Sequence, residues 1–362
     1  MVYCSKCGKE SEHINILDGK IVCEDCLNKT KHFLCDLCGE YHSTESRVVS
    51  DYIVCENCEQ TRFVKCTDCG ELLRTHMAFM SRNDYLCRKC YDKREKYKVK
   101  GYHQDPTWVT YGEDKENTYG IELEVDRPRS NGDKNKFSEG VLKILGDGCY
   151  TMHDGSLQNG FEIITHPHDK EALLALPWQE AFDYLTKHTF RSDQTSTCGL
   201  HMHISRNQFT RESLAKMTYF YDKNYDTILN FARRTPSTAR RWASEYHFSK
   251  INGETDSEII ERIANYLDEL QFHNRHSDRY HCVNVVKYNT IEIRIMKGTL
   301  NYDTFMASLD FIMTIAKNAK TVTDLDDNTQ WLQGLKPETI EYIKKRRCFG
   351  EVFGDAVCCM KN

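Results

Sequence analysis

The chain of 362 residues lacks any long apolar run. A helix that crosses a membrane needs about 18 or more consecutive apolar residues, and no segment supplies them. The first ten residues, MVYCSKCGKE, also lack the apolar core of a secretory signal peptide. We therefore expect a cytoplasmic protein that has no membrane partner.

A large charge excess of either sign is absent as well. The chain carries 49 Lys and Arg against 54 Asp and Glu, which gives a formal net charge of -5. Residues 1–100 are equally balanced, with 17 basic and 16 acidic side chains. Because general DNA-binding domains present a basic surface, nucleic acid is the less favoured partner.

Cysteine, by contrast, is abundant, and most of the 18 cysteines follow a strict pattern. The CxxC pairs repeat as three units of two pairs each. From one unit to the next, the first pair recurs at a constant interval, and the second pair recurs at an interval that is one residue longer. Such a fixed period indicates tandem modules. In a reducing cytoplasm the pattern favours metal binding, with redox chemistry or disulfides as alternatives. Twelve cysteines form the six pairs Cys4/Cys7, Cys23/Cys26, Cys35/Cys38, Cys55/Cys58, Cys66/Cys69 and Cys87/Cys90.

Two CxxC pairs with a short gap between them, such as that from Cys7 to Cys23, predict a zinc site of four thiolates with a hairpin in the gap. So small a unit cannot bury a core of its own, and we expect three structural Zn²⁺ ions to supply the folding energy. Joining the second pair to the third is an alternative, but it leaves the first and last pairs unmatched. The predicted modules span residues 1–30, 31–62 and 63–92. Tight turns after the first pairs are expected at Gly8, Gly39 and Gly70.

The function of these modules follows less directly from the sequence. We expect them to bind a protein or peptide partner, or to dock a macromolecular substrate, rather than nucleic acid. His42 and His76 follow CxxC pairs and are expected at the surface of their hairpins, with metal ligation as an alternative.

Residues 93–117 are predicted to be a linker, and residues 118–362 a second domain of the α+β class. Helices are expected to back an antiparallel sheet there. The predicted strands are 119–126, 160–165, 199–205, 281–287 and 290–297. The predicted helices are 138–145, 169–187, 210–232, 256–272, 303–319 and 337–346.

Several of these strands alternate apolar and charged residues, as in GIELEVD, GLHMHIS and TIEIRIM. Successive side chains of a strand point to opposite faces, so the charged residues share one face. A solvated sheet face is one interpretation. The choice of acids, histidines and an arginine favours another, a site for divalent cations and a phosphate-bearing substrate. The residues of this face are Glu122, Glu124, Glu162, His201, His203, Glu292 and Arg294.

The same motifs resemble those of the amidoligase family, whose members are carboxylate–amine ligases related to glutamine synthetase and gamma-glutamylcysteine synthetase. The resemblance covers roughly residues 119–300 and implies a glutamine synthetase-like antiparallel sheet. The zinc modules lie outside it. The motifs are GIELEVD at 120–126, DGSLQNGFEIITHP at 154–167, CGLHMHISR at 198–206, RYHCVN at 279–284 and TIEIRIMKGTL at 290–300.

The resemblance assigns metal-binding roles to several acids. Glu122 and Glu124 match a pair that supplies one ligand to each of two Mg²⁺ or Mn²⁺ ions. Asp154 and Glu162 match two acids that serve one ion, with aspartate where the larger enzymes use glutamate. Glu292 matches a further metal ligand.

The resemblance also implies contacts with ATP and the substrates. His201 matches a metal ligand and His203 a nucleotide contact, while Arg294 matches an arginine that stabilises the transferring phosphoryl group. Substrate carboxylate or phosphate contacts are expected from Arg279, Asn284 and Lys297. A loop around Pro236 is expected to cover the nucleotide, or to be a solvated basic loop. It contains Arg233, Arg234, Arg240 and Arg241.

The function implied by the resemblance is ATP-dependent formation of an amide or peptide bond through an acyl phosphate. One alternative is a zinc-module adaptor, or a nucleic-acid-binding protein, whose second domain binds nucleotide without catalysis. Another is a nuclease or phosphotransferase that uses the same metal cluster. The identities of the acid and the amine stay open, as does an oligomeric state.

Overall fold

A computed structural model gives the fold of the chain. It describes residues 2–49, 51–81, 83–102, 106–127, 133–248, 254–273 and 276–345. The chain forms two compact units, Met1–Lys96 and Tyr97–Asn362. Among the described residues, no helix is both long and apolar enough to cross a membrane.

The first unit consists of three similar modules, each with a hairpin followed by a short helix. The first module contains β1 (Val2–Tyr3), β2 (Glu10–Ser11), β3 (Ile14–Leu17), β4 (Lys20–Cys23) and α1 (Glu24–Asn28). The second contains β5 (Phe33–Leu34), β6 (Tyr41–His42), β7 (Arg47–Val49), β8 (Tyr52–Val54) and α2 (Glu56–Arg62). The third contains β9 (Phe63–Lys65), β10 (Leu72–Arg74), a 3₁₀ turn (Thr75–Met77), β11 (Phe79–Ser81), β12 (Asp84–Leu86) and α3 (Arg88–Glu95).

Local sequence explains why each module turns where it does. The glycine after each first CxxC pair has a φ angle between +69° and +76°, a backbone conformation that L side chains rarely adopt. The third cysteine of each module is the N-cap residue immediately before its helix, and the Cys55 thiol accepts from the backbone N–H of Cys58 at 3.4 Å. The predicted turns and hairpins are therefore present in all three modules.

The first two modules share one sheet, of strand order β4-β3-β6-β5. Strand β3 pairs with β6 in parallel, with Leu17 opposite Tyr41. The backbone N–H of Asp18 donates to the Tyr41 carbonyl at 2.9 Å, and the Asp18 carboxylate accepts from the Ser43 amide at 3.1 Å. These contacts join the two modules into one body.

The second unit is built on a six-stranded sheet in which every pairing is antiparallel. Its strand order is β14-β15-β13-β16-β18-β17. The strands are β13 (Tyr119–Val125), β14 (Cys149–Met152), β15 (Phe161–Thr165), β16 (Leu200–Ser205), β17 (Val283–Asn284) and β18 (Thr290–Ile293). The predicted mixture of helices with an antiparallel sheet is thus present.

Two strands differ from the prediction. Strand β14 was not predicted, because all four of its residues are buried and its sequence, CYTM, shows no alternation. The segment 281–287 is a strand only at Val283–Asn284, because the Asn284 side chain accepts from the Val286 amide at 3.0 Å and turns the chain.

The helices of the second unit are α4 (Lys134–Leu145), α5 (Lys170–Leu174), α6 (Trp178–Lys187), α7 (Arg211–Lys223), α8 (Tyr225–Ala232), α9 (Pro236–Trp242), α10 (Asp256–His273), α11 (Tyr302–Asn318), α12 (Asn328–Leu332) and α13 (Pro337–Lys345). Short 3₁₀ turns lie at Arg206–Gln208 and His276–Tyr280. Residue 346, predicted as the end of the last helix, lies outside the described residues.

Two predicted helices are divided and one predicted loop is helical. The segment 169–187 is interrupted before α6, because proline disfavours helical backbone at the residue before it and Pro177 precedes Trp178. The segment 210–232 is interrupted at Asn224. The basic loop expected around Pro236 instead contains α9, because proline suits the first helical position and the Thr235 hydroxyl caps the helix.

One face of the sheet packs into the apolar core. Ile121, Leu123 and Val125 of β13 have no exposed surface, and they share one continuous core with apolar residues of α4, α6, α7, α8, α10 and α11. Within this core the rings of Trp178 and Phe305 lie 4.8 Å apart. The alternate side chains of β13 consequently point away from the helices.

The predicted linker, residues 93–117, divides between the units. Helix α3 continues to Glu95 in the first unit. The Lys100 amide donates to the Thr151 carbonyl at 2.9 Å, and the Lys100 carbonyl accepts from the His153 amide at 2.9 Å. Backbone hydrogen bonds therefore attach the later part of the segment to the edge strand β14.

We expect Gly160→Ala to destabilise the second unit. A Cβ atom at Gly160 would lie 1.8 Å from the Val125 carbonyl oxygen, so the backbone must shift at a cost of about 1–3 kcal/mol. All four tryptophans lie in this unit, so their fluorescence reports its thermal unfolding alone. Gly155→Ala is the matched control, because its Cβ would meet nothing within 4 Å. Equal midpoints for the two variants would contradict the expected clash.

Candidate functional site

The twelve paired cysteines form three tetrads of the kind that binds zinc. The four sulfur atoms of each tetrad lie within 4.8 Å of one another, and all twelve cysteines are free. Sγ atoms are 3.8 Å apart for Cys7 and Cys23 and 3.7 Å apart for Cys69 and Cys87. A tetrahedron of Zn–S bonds of about 2.3 Å places sulfurs about 3.8 Å apart. The tetrads therefore fit structural Zn²⁺, and among the described cysteines the first pair joins the second, the third joins the fourth and the fifth joins the sixth. The tetrads are Cys4/Cys7/Cys23/Cys26, Cys35/Cys38/Cys55/Cys58 and Cys66/Cys69/Cys87/Cys90.

Backbone amides around the first cysteine of each tetrad favour its thiolate form. Hydrogen bonds from the amides of Cys23, Cys7 and Lys6 lower the pKa of Cys4 to about 6. At Cys35 and Cys66, burial raises the pKa, but backbone donors outweigh it and lower the pKa to about 6. Thiolates are the form that binds a metal ion.

His42 and His76, for which the sequence predicts the same role, have different surroundings in the structure. Nε2 of His42 lies 3.4 Å from Sγ of Cys38, and Nδ1 of His42 lies 3.6 Å from the Asp18 carboxylate. His76, in contrast, is exposed on the 3₁₀ turn of the third module. At the position of His42 the other two modules have Ser11 and Leu73. His42 therefore contacts a zinc-ligand candidate and connects it to the first module.

The open face of the sheet places charged side chains of neighbouring strands opposite one another. Glu122 lies opposite His201, and His203 lies opposite Glu292. These four residues belong to a row of polar side chains across the sheet, the carboxylate row, which continues at both ends. Glu124 lies opposite Glu162 on β15, and Glu292 also lies opposite Asn284 on β17.

Glu122, His203 and Glu292 form one group that could hold a cation. Their ligand atoms lie within 4.8 Å of one another. Nε2 of His203 is 2.8 Å from Glu122 Oε1, yet within the described part of the chain this buried nitrogen makes no hydrogen bond. Nδ1 of His201 approaches the same carboxylates, at 3.2 Å from Glu122 and 3.6 Å from Glu292. Both histidines can therefore reach a cation held between the two glutamates.

The Glu292 carboxylate is buried and well compensated. Asn284 donates to it at 2.7 Å, and the Arg294 guanidinium hydrogen-bonds to it directly. Burial disfavours its charge, but Arg294 and Lys287 outweigh burial and lower the pKa of Glu292 to about 2. Likewise, burial opposes the charge of Glu122, but His203, His201 and Lys287 hold its pKa well below the usual range.

Glu124 and Glu162 lie in the opposite environment, with too little positive charge near them. Burial raises the pKa of Glu124 to about 7, although the Gly199 amide donates to its carboxylate at 2.6 Å. Burial together with the charges of Glu122, Glu124, Asp154 and Glu292 raises the pKa of Glu162 to about 10. Divalent cations prefer such oxygen ligands and would offset the repulsion. The donor set therefore fits Mg²⁺ or Mn²⁺ on this face.

Other expected site residues are placed differently with respect to the carboxylates. Arg294 is buried, and its Nε also donates to the Trp242 carbonyl at 3.3 Å. Arg234, expected to contact nucleotide, is buried and donates to the carbonyls of Ile295 and Met296 at 3.0 and 3.1 Å. In this structure Arg234 thus fixes the backbone that follows Arg294.

Arg279 and Lys297 lie at the margin of the carboxylate row. The Arg279 guanidinium is 5.1 Å from the centre of the Tyr280 ring, which also lies 5.8 Å from Arg294. Lys297 forms a backbone bridge to Gly199, the residue whose amide holds Glu124. Their side chains are half-buried.

Lys287 is a site residue that sequence reasoning missed. Its Nζ lies 3.8 Å from Glu122 Oε1 and 3.9 Å from Glu292 Oε2. No motif marks it, because it follows the turn made by Asn284 instead of ending a strand. Its side chain is half-exposed, whereas that of Glu292 is buried.

A cavity of about 520 Å³ lies beside this row. Its lining begins at Gly155, the residue after Asp154, and includes Thr197, two residues before Gly199. Hydroxyl groups dominate the lining, and Arg241 supplies its charge above the Trp242 ring. The size is typical of small-molecule sites. The lining residues are Gly155, Ser156, Ser196, Thr197, Ser237, Thr238, Arg241 and Trp242.

We expect His42→Ala to weaken one zinc site without removing it. Residues that hold a metal ligand in place typically contribute about 10- to 100-fold to metal affinity. Chelator competition with a colorimetric zinc reagent should show three ions per chain, one of them released faster than in the parent protein. His76→Ala is the control and should release zinc as the parent does. A content of two ions in His42→Ala would instead identify His42 as a ligand.

We expect Mg²⁺ binding at neutral pH to release protons. With a pKa of about 10, Glu162 holds a proton at neutral pH, and Glu124, with a pKa of about 7, is partly protonated, so a cation must displace protons from both. Apparent Mg²⁺ affinity should therefore rise with pH, by up to about tenfold per unit for one proton. Calorimetry in buffers of different ionisation enthalpy measures the proton count. Glu162→Gln should lower this count and Glu180→Gln, on the surface of α6, should not; equal counts would contradict the assignment.

Comparison with known proteins agrees with the motifs on the sheet. The profile of the family described as “Putative amidoligase enzyme” matches residues 95–316. No curated protein matches the chain. The matched segment covers more than half of the 362 residues and contains the complete carboxylate row, so the chain belongs to the amidoligase family.

Proposed function

We propose that the chain is an ATP-dependent ligase that joins a carboxylic acid to an amine through an acyl phosphate. The observation that carries the proposal is the open face of the sheet. It combines Glu122, Glu124 and Glu292 with two histidines and a buried arginine. Such a set suits phosphoryl transfer from ATP better than it suits a solvated surface. We also propose that this fold is glutamine synthetase-like, as the family resemblance implies.

Cations would be held by Glu122, Glu124, Glu162, His201 and Glu292, with Asp154 at the edge of the set. When bound, Mg²⁺ or Mn²⁺ would neutralise charge on the phosphate oxygens. His203 lies at the same centre and is available to ATP or to a cation.

The cavity beside Gly155 and Thr197 would bind the acid. The hydroxyls and Arg241 suit a polar, anionic molecule, and the described residues of the lining include no acidic side chain that would repel it. The adjoining carboxylate row would then lie next to the reacting carboxylate.

The reaction would proceed in two steps. An oxygen of the substrate carboxylate attacks the γ-phosphorus of ATP, the bond to ADP breaks, and an acyl phosphate forms. The amine nitrogen then attacks the acyl carbon, inorganic phosphate leaves, and a base takes the proton of the amine. The product is an amide with ADP and phosphate.

Arg294 would stabilise charge on the phosphoryl group during the first step. Its guanidinium is fixed by the Glu292 carboxylate and the Trp242 carbonyl, so little reorganisation is needed when charge develops. Burial lowers the pKa of Arg294, but the charges of Glu292, Glu122 and Glu124 together with the hydrogen bond to Glu292 outweigh burial and raise it, so Arg294 stays protonated.

The first unit would act as an arm that brings a partner or macromolecular substrate to the enzyme. The competing adaptor function, with nucleotide binding but no catalysis, makes no product. A nuclease or phosphotransferase would use the same acids without forming an amide. Catalysis assays with trapping of the intermediate separate these functions.

We expect the parent protein to release ADP when given ATP, Mg²⁺ and a pool of carboxylic acids, and hydroxylamine to trap the acyl phosphate as a hydroxamate. Glu124→Ala should lose about 10²–10³-fold in hydroxamate formation, because it removes a proposed cation ligand. Arg294→Lys should lose about as much, because lysine cannot replace the planar guanidinium. Coupled ADP detection and mass spectrometry measure the two products.

Glu180→Gln serves as the control and should keep the parent rate. If Glu124→Ala releases ADP as fast as the parent does, the ligase assignment fails. ADP release without hydroxamate would favour the phosphotransferase. Incubation of a cell extract with enzyme and ATP, followed by mass spectrometry for a new amide, would identify the acid and the amine.

A further inference from the structure

The hairpins of the first unit expose apolar side chains at the same position in each module. In every hairpin two apolar residues lie directly opposite each other across the strands. Corresponding members recur at the same constant interval as the second CxxC pairs. Their exposed fractions range from 36% to 76%. These three apolar pairs are Ile16/Ile21, Val48/Ile53 and Met80/Tyr85.

The modules do not use these side chains for their own cores. Along each strand, alternate residues point to opposite faces. In the first hairpin Leu17 and Val22 are buried, and in the second Val49 and Val54 are buried. The apolar pairs therefore face solvent at positions where polar residues would be expected.

The same backbone hydrogen bond attaches each apolar pair to its metal site. In every module the amide that follows the first cysteine donates to the carbonyl of the second member of the pair, at 2.8 or 2.9 Å. The next cysteine of that turn is exposed in all three modules. The bonds run from Ser5 to Ile21, from Asp36 to Ile53 and from Thr67 to Tyr85. Each module thus presents apolar surface beside an accessible thiolate.

The zinc-loaded first unit is anionic. Residues 1–96 carry 15 Lys and Arg and 16 Asp and Glu. A Zn²⁺ ion with four thiolates carries a charge of about -2, so three of them bring the unit to roughly -7. Like charge would repel a nucleic acid or a second copy of this unit and would attract a basic partner.

Strand edges near the apolar pairs are open. Within the described residues, β7 pairs with β8 alone and β11 pairs with β12 alone. An extended segment can add to such an edge through main-chain hydrogen bonds, while its side chains contact the neighbouring surface.

We propose that the three apolar pairs and the adjoining thiolates form a repeated docking surface for an extended protein segment with apolar side chains flanked by Lys or Arg. The repetition favours a partner that contacts more than one module. This proposal names the chemistry of the partner and does not depend on ligase activity in the second unit.

Binding of two matched synthetic peptides to the zinc-loaded full chain tests the proposal. One labelled peptide alternates valine with lysine, and the other alternates valine with glutamate. Fluorescence anisotropy should show that the lysine peptide binds at least about tenfold more tightly. In the combined variant Ile16→Ser, Val48→Ser and Met80→Ser, the Kd for the lysine peptide should rise by at least about tenfold.

The matched control removes three other exposed apolar side chains of the same unit, in the variant Tyr3→Ser, Leu34→Ser and Met77→Ser. It should bind the lysine peptide as the parent does, and metal analysis should find three zinc ions in both variants. Four results would overturn the proposal. Three of them are failure of the lysine peptide to bind, equal loss in the control variant, and tighter binding of a single-stranded oligonucleotide than of the lysine peptide. The fourth is dimerisation of the parent that the variant of the apolar pairs abolishes, which would favour a second copy as the partner.

Discussion

Strict alternation of side chains along β13, β16 and β18 is the constraint on which the second unit depends. It sends isoleucines, leucines and valines into the helical core and leaves acids, histidines and an arginine together on the other face. The face is not electrically uniform. The pKa is about 2 at Glu292, where nearby basic side chains outweigh burial, but about 7 at Glu124 and about 10 at Glu162, where burial and neighbouring acids prevail. The acid-rich side, near β15, is therefore where added positive charge would stabilise the protein most.

The stability of the first unit depends on a different interaction. Each module is too small to bury a core, and its buried residues are mostly cysteines with a few aliphatic side chains. A bound Zn²⁺ ion would substitute for the missing apolar area, and backbone amides lower the pKa of the first cysteine of each tetrad, which favours the thiolate form that a metal requires. If metal supplies the folding energy, the modules do not need the outward side of the hairpins for stability, and that side can carry residues with another role. The same hairpins therefore combine a structural inner side with exposed apolar pairs.

Features with a local cause could be predicted from the sequence, and features with a distant cause could not. The CxxC turns and the alternating strands depend on neighbours in sequence, so both were recognised along with the family. Strand β14 was missed because full burial removes alternation. The positions of Lys287 and Arg234 depend on contacts with Glu122, Glu292 and the carbonyls after Arg294, which are far away in sequence. Helix α9 was missed because the charge of its arginines outweighed the capping signal of Thr235 and Pro236.

The sheet shared by the first two modules has a consequence for how the unit would recognise a partner. Since β3 pairs with β6, the first two apolar pairs belong to one body, and their separation is set by hydrogen bonds instead of a flexible chain. A segment bound at the first pair would meet the second at a high effective concentration and would lose little further rotational freedom. Avidity of this kind requires a partner whose apolar residues match a fixed spacing. The shared sheet would then select partners by the distance between their apolar residues as well as by their composition.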